Sequence, residues 1–241
     1  MISKGKLKEL AAYRLQKRCD EEAVFVVEGP KMAAEAAASG FTLRTVCATP
    51  AWLASNSIEA GEVLEVTEAE LERLSSMRTP NQVWLLAERR QPRMAEEGRL
   101  TLALDRLQDP GNMGTLLRTA DWFGVRHVVC SPGCADRWSP KVVQASMGAV
   151  FRTRVDTADL PEWLAGCGME VYGASLQGEP LATAPRPEGR AVLLIGNESR
   201  GISPDAMRSV THRVLIPNLG GTAESLNAAV AAGILINHFC N

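Results

Sequence analysis

Three polar segments, at residues 109–118, 196–203 and 217–227, carry the side chains whose types and spacing could do chemistry. The first holds Asn112 and Arg118, the second Glu198 between Gly196 and Gly201, and the third Ser225 and Asn227. Gly196-Asn-Glu-Ser-Arg-Gly201 has the G-x-x-x-x-G spacing of a phosphate-binding loop, but Ile202-Ser203 follows, so the phosphate-binding lysine is missing. No G-x-G-x-x-G follows a strand-like run, and the candidate at Gly166-Cys167-Gly168 goes no further, which argues against a conventional dinucleotide site. His127, His212 and His238 lie more than a helical turn apart, so metal catalysis is not expected. Ser225 has no histidine near it to activate a hydroxyl, which disfavours a hydrolase triad. Elimination leaves a metal-free site built from Asn, Arg, Glu, Ser and backbone amides.

Each segment needs an element to hold it. The third opens the stretch 215–241, where a short apolar strand breaks at Pro217, Asn218, Gly220 and Gly221. Residues 228–236 then carry no polar side chain; nine residues fall short of the roughly 18 that span a membrane. The pattern predicts a buried helix opening near Ser225, whose N–H groups could hold a small ligand; an ordinary capped core helix is its plainer reading. Upstream, strands are expected at 100–104, 125–130, 151–155, 169–174 and 191–195, with helices at 112–123, 140–150 and 160–165. Continuous apolar strands alternating with helices indicate a parallel α/β sheet covered on both faces, with ligands beyond the C-terminal strand ends.

The first part of the chain alternates in the same way. Leu7, Leu10 and Leu15 suit one face of a basic amphipathic helix. Strands follow at 23–27, 42–48, 62–66 and 82–87, with helices at 31–39 (closed by Gly40), 50–55 and 68–77. The charged, aperiodic run ERRQPRMAEEGR at 88–99 reads as a linker. The expected organisation is therefore a small α/β domain at 1–90, a linker at 91–99, and a larger α/β domain at 100–241.

Composition bounds the partners. With 46% apolar and 22% charged residues the chain belongs with soluble globular proteins, and a net charge of −2 excludes a wholly basic nucleic-acid binder. The charge is uneven, at +5 over residues 1–18, −6 over 19–100 and −1 over the rest. A basic N-terminal arm could touch a phosphate backbone, or could simply be a solvated helix. Six cysteines without a CxxC pair, and no apolar leader in MISKGKLKEL, predict buried free thiols in the cytoplasm and no membrane association.

In order, Asp109-Pro-Gly-Asn-Met-Gly-Thr-Leu-Leu-Arg-Thr-Ala-Asp-Trp-Phe-Gly124, Leu194-Ile-Gly-Asn-Glu-Ser-Arg-Gly-Ile-Ser203, and Ile216-Pro217 through Ser225-Leu226-Asn227 form three spaced motifs. Together they closely resemble the SpoU/TrmH group of the SPOUT superfamily, the RNA ribose 2′-O-methyltransferases. Phe25-Val-Val-Glu-Gly29 and Thr79-Pro80-Asn81-Gln82 also resemble the RNA-binding domain that many members carry. The resemblance implies a deep trefoil knot in the C-terminal domain, bound S-adenosylmethionine and a homodimer. It implies that Gly196, Ile216 and Leu226 contact the cofactor, while Gly201, Ser225 and Asn227 shape its pocket. Arg118 falls at the catalytic position, either as a phosphate-primed base or as a phosphate anchor that stabilises the developing alkoxide. Asn112 would orient the substrate or Arg118, or cap its helix; Glu198 would position Arg118 or a substrate hydroxyl, or close a salt bridge. Ribosomal RNA is the expected substrate, transfer RNA the second. Two departures touch the pocket: Ser199 stands where glycine is usual, and the third motif is one residue longer through Gly220-Gly221. A non-catalytic RNA-binding or assembly factor, and a nicotinamide oxidoreductase lacking its glycine fingerprint, are the rival readings.

Overall fold

A computed structural model describes residues 2–92 and 98–240. The linker expected at 91–99 is therefore only partly seen; 93–97 lie outside the described residues. The first part contains α1 (Lys4–Ala11), α2 (Gln16–Glu21), β1 (Val24–Glu28), α3 (Pro30–Ala38), β2 (Leu43–Ala48), α4 (Pro50–Ser55), β3 (Glu62–Glu65), α5 (Glu68–Leu74) and β4 (Val83–Glu88). The second contains β5 (Leu100–Leu104), α6 (Pro110–Trp122), β6 (His127–Cys130), α7 (Pro140–Ser146), β7 (Arg154–Thr157), α8 (Leu160–Gly166), β8 (Glu170–Pro180), β9 (Ala191–Ile195), α9 (Pro204–Met207), β10 (His212–Leu215) and α10 (Ala228–Cys240). Among the described residues β1-β4-β2-β3 form a mixed sheet, and β10-β8-β9-β5-β6-β7 form a second sheet whose strands all run parallel.

Alternation along the central strands explains how the parallel sheet is covered on both faces. Leu100, Leu102 and Leu104 of β5, with Ala191, Leu193 and Ile195 of β9, join one apolar cluster. Their neighbours Ala103, Val192 and Leu194 face a second cluster with Leu160 and Leu164 of α8. The first cluster continues into the mixed sheet, where Phe25 lies 4.4 Å from Trp138 and Phe41 lies 5.4 Å from Phe151 between ring centroids. Each such aromatic pair adds about 0.5–1.5 kcal/mol beyond its buried area, so the two sheets share one core.

Several boundaries differ from expectation, each for a local reason. Leu15 is not on the face of Leu7 and Leu10; a 3₁₀ turn at Ala12–Arg14 breaks the helix, buries Tyr13 and leaves Leu15 67% exposed. The helix expected at 140–150 stops at Ser146, because Met147 (φ 49°) and Gly148 (φ 91°) turn left-handed and β7 starts only at Arg154. Strand β8 runs on to Pro180, the short apolar strand expected at the start of 215–241 lies earlier, as β10 at His212–Leu215, and α9 has no counterpart among the expected elements. The last helix opens at Ala228 rather than near Ser225, because Asn227 Oδ1 accepts from the N–H groups of Ala229 (2.9 Å) and Val230 (3.3 Å). No helix among the described residues is long and apolar enough to cross a membrane.

Candidate active site

Parallel strands deliver the three polar segments to the same, C-terminal, end of the sheet, and side chains then tie them together. Helix α6 begins at Pro110, with Asp109 as its cap: the Asp109 carboxylate accepts from Asn112 N–H at 2.7 Å. Asn112 is thus in the first turn rather than at the cap, and its amide is free to bridge. Its Nδ2 donates to Glu198 Oε1 at 3.1 Å, and its Oδ1 accepts from Asn227 Nδ2 at 2.9 Å. One residue from each segment therefore joins a single chain of hydrogen bonds that ends at the capped start of α10.

Glu198 serves as an acceptor in this chain. Besides Asn112 it receives the N–H groups of Asp109 (3.3 Å) and Gln108 (3.5 Å). Burial pushes its carboxyl up, but these donors and its own N–H outweigh that and hold it below the ordinary glutamate range. The sign follows: the network contributes in full above that range and is lost as pH falls through the lowered value. Asn112→Asp should replace the donor with a second carboxylate and lower the neutral-pH melting temperature. The network is solvent-exposed, so the expected cost is about 1 kcal/mol. That deficit should shrink on acidification, as the new carboxylate pair takes up a proton; a deficit independent of pH in thermal melts would refute the arrangement.

The loop after β9 is tightly built. Asn197 and Gly201 exchange backbone hydrogen bonds at 3.0 and 2.9 Å, and Asn197 Oδ1 accepts from the N–H groups of Ser199 and Arg200. Gly201 takes φ 66°, whereas Ser199 is not among the positive-φ residues, so serine is accommodated there without left-handed strain. Gly196 is packed so closely that a Cβ would stand 2.2 Å from Gly201 C and Ile202 N. The longer third segment folds on itself: Asn218 Oδ1 accepts from Gly220 and Gly221 N–H groups, and none of residues 217–223 lines the cavity below.

A cavity of about 540 Å³ opens between these loops, within the size range of small-molecule sites. Of the residues singled out in the sequence, Gly196, Glu198, Gly201, Ile216, Ser225 and Leu226 line it. Asn112 and Asn227 brace it from outside the lining. Arg118 is brought to neither: it is exposed on α6 and, among the described residues, makes no hydrogen bond or ion pair. Ala174, at the end of the strand expected at 169–174, and Ser175, Leu176 and Gln177, where β8 continues beyond it, also line the cavity without having been singled out in the sequence. Asp105 was also missed. It is 3% exposed, accepts from Ser203 N–H at 2.6 Å, and so clamps the end of the second segment to the first. An acid directly after the apolar run LTLAL was the available signal. Among the described residues no group of His, Cys, Asp or Glu could hold a metal ion. The thiols are not all buried: Cys19, Cys47 and Cys130 are, Cys134 and Cys167 are half-buried, and Cys240 is exposed.

Six parallel strands with three interlocked loops beyond their C-terminal ends define the class, and the chain belongs to the SpoU rRNA methylase family, whose model matches residues 99–237. Residues 4–84 match the MRM3-like substrate binding domain. The chain is 31% identical over 238 residues to the 23S rRNA (guanosine(2553)-2′-O)-methyltransferase RlmP of Bacillus subtilis, covering 97% of this chain and 95% of that protein. It is also similar to a solved TrmH-family structure from Porphyromonas gingivalis (TM-score 0.88, 41% identity, 99% and 98% of the two chains covered). An AdoMet-bound rRNA methyltransferase structure from Sinorhizobium meliloti matches with TM-score 0.85 at 30% identity, covering 99% and 95%.

Proposed function

We propose that this protein transfers a methyl group from S-adenosylmethionine to the 2′-hydroxyl of a ribose in structured RNA, with ribosomal RNA as the first candidate and transfer RNA the second. The observation that carries this reading is the Glu198–Asn112–Asn227 chain, which joins all three family segments around one cavity. Incubation with labelled cofactor and total RNA, followed by nucleoside analysis, tests it. A 2′-O-methylated nucleoside is expected; no incorporation into unmodified ribosomal or transfer RNA would favour the non-catalytic RNA-binding reading.

The cavity suits the cofactor. Ile195, Ile202, Ile216, Leu226 and Leu235 offer an apolar slot, and Ser225 and Gln177 stand beside them. Gly196 and Gly201 let the backbone approach without side chains between. Bound there, S-adenosylmethionine supplies a methyl group already made electrophilic by its sulfonium. Glu198 holds Asn112, and Asn112 orients the ribose at the mouth of the cavity. A guanidinium is a poor base, so the role of Arg118 in this reading is to pin the phosphate beside the target ribose and stabilise the developing alkoxide, while the hydroxyl proton passes to water at the mouth of the cavity.

Residues 1–90 act in this reading as an RNA-binding unit and residues 100–241 as the methyltransferase unit. Lys4, Lys8, Arg14 and Lys17 support the first assignment: all are exposed, and none has a partner among the described residues. Changing the four to glutamate should weaken RNA binding and lower the slope of log K against log salt by about 3, with cofactor affinity unchanged. An unaltered slope in filter binding would remove this arm from the interface.

The deep trefoil knot and the homodimer belong to the same reading. Support for the knot comes from the return of α10 onto α6 and onto β9, the strand that carries the second segment. For the dimer, Trp122 is 84% exposed on α6, and Val230 (52%) and Ile234 (39%) form an exposed stripe on the neighbouring α10. Arg118 lies one turn before Trp122, so a second copy seated on this face would place Arg118 at the subunit boundary. Sedimentation should give a dimer, and Trp122→Glu with Val230→Glu a monomer; a monomeric wild type would overturn the proposal.

A further inference from the structure

A second cavity, of about 460 Å³, opens where the two units meet, beyond the C-terminal ends of β6 and β7. Its lining comes from both: Arg89, Arg90 and Gln91 directly after β4, and Ser131, Arg137 and Thr157 from the second unit. The methyl-transfer reading uses none of them.

Arg137 is only 7% exposed, and a cation buried this far is normally met by a carboxylate. Among the described residues Arg137 has none. Its Nη1 donates to Gln91 Oε1 (2.9 Å) and Val155 O (3.2 Å), and its Nη2 to Arg90 O (3.0 Å). Its Cζ stands 4.0 Å from the centre of the Trp138 ring. These bonds use three of the five guanidinium N–H groups, all on neutral acceptors, so the charge is oriented but not neutralised. Burial pushes the guanidinium down to about 10, which still leaves it charged at neutral pH.

Arg90 repeats the pattern. Its Nη2 donates to Ser39 O at 2.7 Å, its Cζ lies 4.8 Å from the centre of the Phe41 ring, and its buried Nε has no partner among the described residues. The neighbouring charges are already engaged. Arg89 Nη2 meets Asp20 at 2.6 Å and lies 4.0 Å from Asp136, which accepts from Gln16 Nε2 at 2.6 Å and from Trp138 N–H at 2.9 Å. Arg90 and Arg137 therefore border one open cavity without a counter-charge among the described residues. Guanidinium groups so placed suit a phosphate, whose oxygens take paired N–H donors.

The position of the cavity selects the source of that phosphate. Both cavities lie at the C-terminal end of the same parallel sheet, on either side of the exit from β5. Arg106, in that exit, joins them: its N–H donates to Ser131 Oγ at 2.8 Å, and its carbonyl accepts from Asn197 Nδ2 at 2.7 Å. Ser131 lines the second cavity and Asn197 the first. The flanking strands β6 and β9 are two strand spacings apart, about 10 Å. A strand of RNA with one ribose at the first cavity carries its neighbouring phosphates past the second.

We propose that the second cavity is a phosphate subsite for the RNA substrate, in which Arg137 and Arg90 hold a backbone phosphate close to the target ribose. The subsite rests on the RNA-methylation reading above. A contact of this kind sets the register and orientation of the strand without reading its bases.

Thr157 supplies the test, because it lines the cavity at the exposed end of β7 and its side chain makes no hydrogen bond among the described residues. Thr157→Glu places a carboxylate beside the two arginines and breaks no existing bond. Filter binding of unmodified ribosomal RNA should weaken about tenfold, with the slope of log K against log salt lowered by about 0.7 for one lost phosphate. Thr157→Gln, of similar size but uncharged, should stay within about twofold of the wild type. Equal affinity for the wild type and Thr157→Glu, or equal losses in the two variants, would overturn the proposal. In the wild type, a short oligoribonucleotide should slow hydrogen exchange over residues 131–138. Slowing by inorganic phosphate with none from the oligoribonucleotide would give the cavity to a free anion and overturn the assignment to RNA. A wild type that binds no RNA, while inorganic phosphate still slows exchange there, would instead overturn the RNA-methylation reading on which the subsite rests.

Discussion

Arg118→Ala should abolish methyl transfer while leaving cofactor affinity and stability almost unchanged. Removing one donor that stabilises developing negative charge costs roughly 10²–10³ in turnover, and here a full positive charge is lost as well. Affinity should hold because Arg118 is absent from the lining of the cofactor cavity. Stability should hold because the side chain is exposed and, among the described residues, bonds to nothing; surface changes of this kind stay within about 0.5 kcal/mol. Arg118→Lys should recover only part of the rate, since an ammonium cannot present the planar fork that grips a phosphate. The measurements are single-turnover transfer and isothermal titration with S-adenosylmethionine. A variant that lost cofactor binding would show that Arg118 belongs to the pocket, and its role as a phosphate anchor would have to be abandoned.

This separation of Arg118 from the cavity was invisible in the linear chain, where Asn112 and Arg118 sit in one motif. They are six residues apart on a helix, which rotates them onto different faces. Asn112 therefore turns toward Glu198 and Asn227, and Arg118 shares the outward face with Trp122. The parallel sheet, by contrast, was legible: runs such as LTLAL and AVLLI are apolar at every position because both faces are buried, and both became central strands. Boundaries set by single backbone conformations were not. Nothing in the periodicity of residues 140–150 announces that Met147 turns left-handed, and only tertiary pairing with β10 carries β8 past Ala174. The buried Asp105 was missed for a related reason. A polar residue after a strand looks like an ordinary loop residue until the partner brought to it, here Ser203 N–H, is known.

Gly196→Ala should have the largest effect on cofactor binding of any single methyl group added to this protein's first cavity. The added carbon would stand 2.2 Å from Gly201 C and from Ile202 N, well inside any tolerated contact, and both are backbone atoms that cannot swing aside. Relief requires moving the 197–201 loop. That loop is pinned by the paired Asn197–Gly201 hydrogen bonds, by Asn197 on Arg106 O, and by Ser203 N–H on the buried Asp105 carboxylate. Overpacking of such a site costs about 1–3 kcal/mol or more, and here the displacement falls on residues that line the cavity and carry Glu198. Loss of S-adenosylmethionine affinity by about 100-fold or more is expected, with a lower melting temperature. Gly166→Ala supplies the comparison: an added Cβ there meets nothing within 4 Å and φ is not positive, so stability and affinity should match the wild type. Equal affinity in the two variants would mean that the close passage of Gly196 against Gly201 plays no part in holding the cofactor.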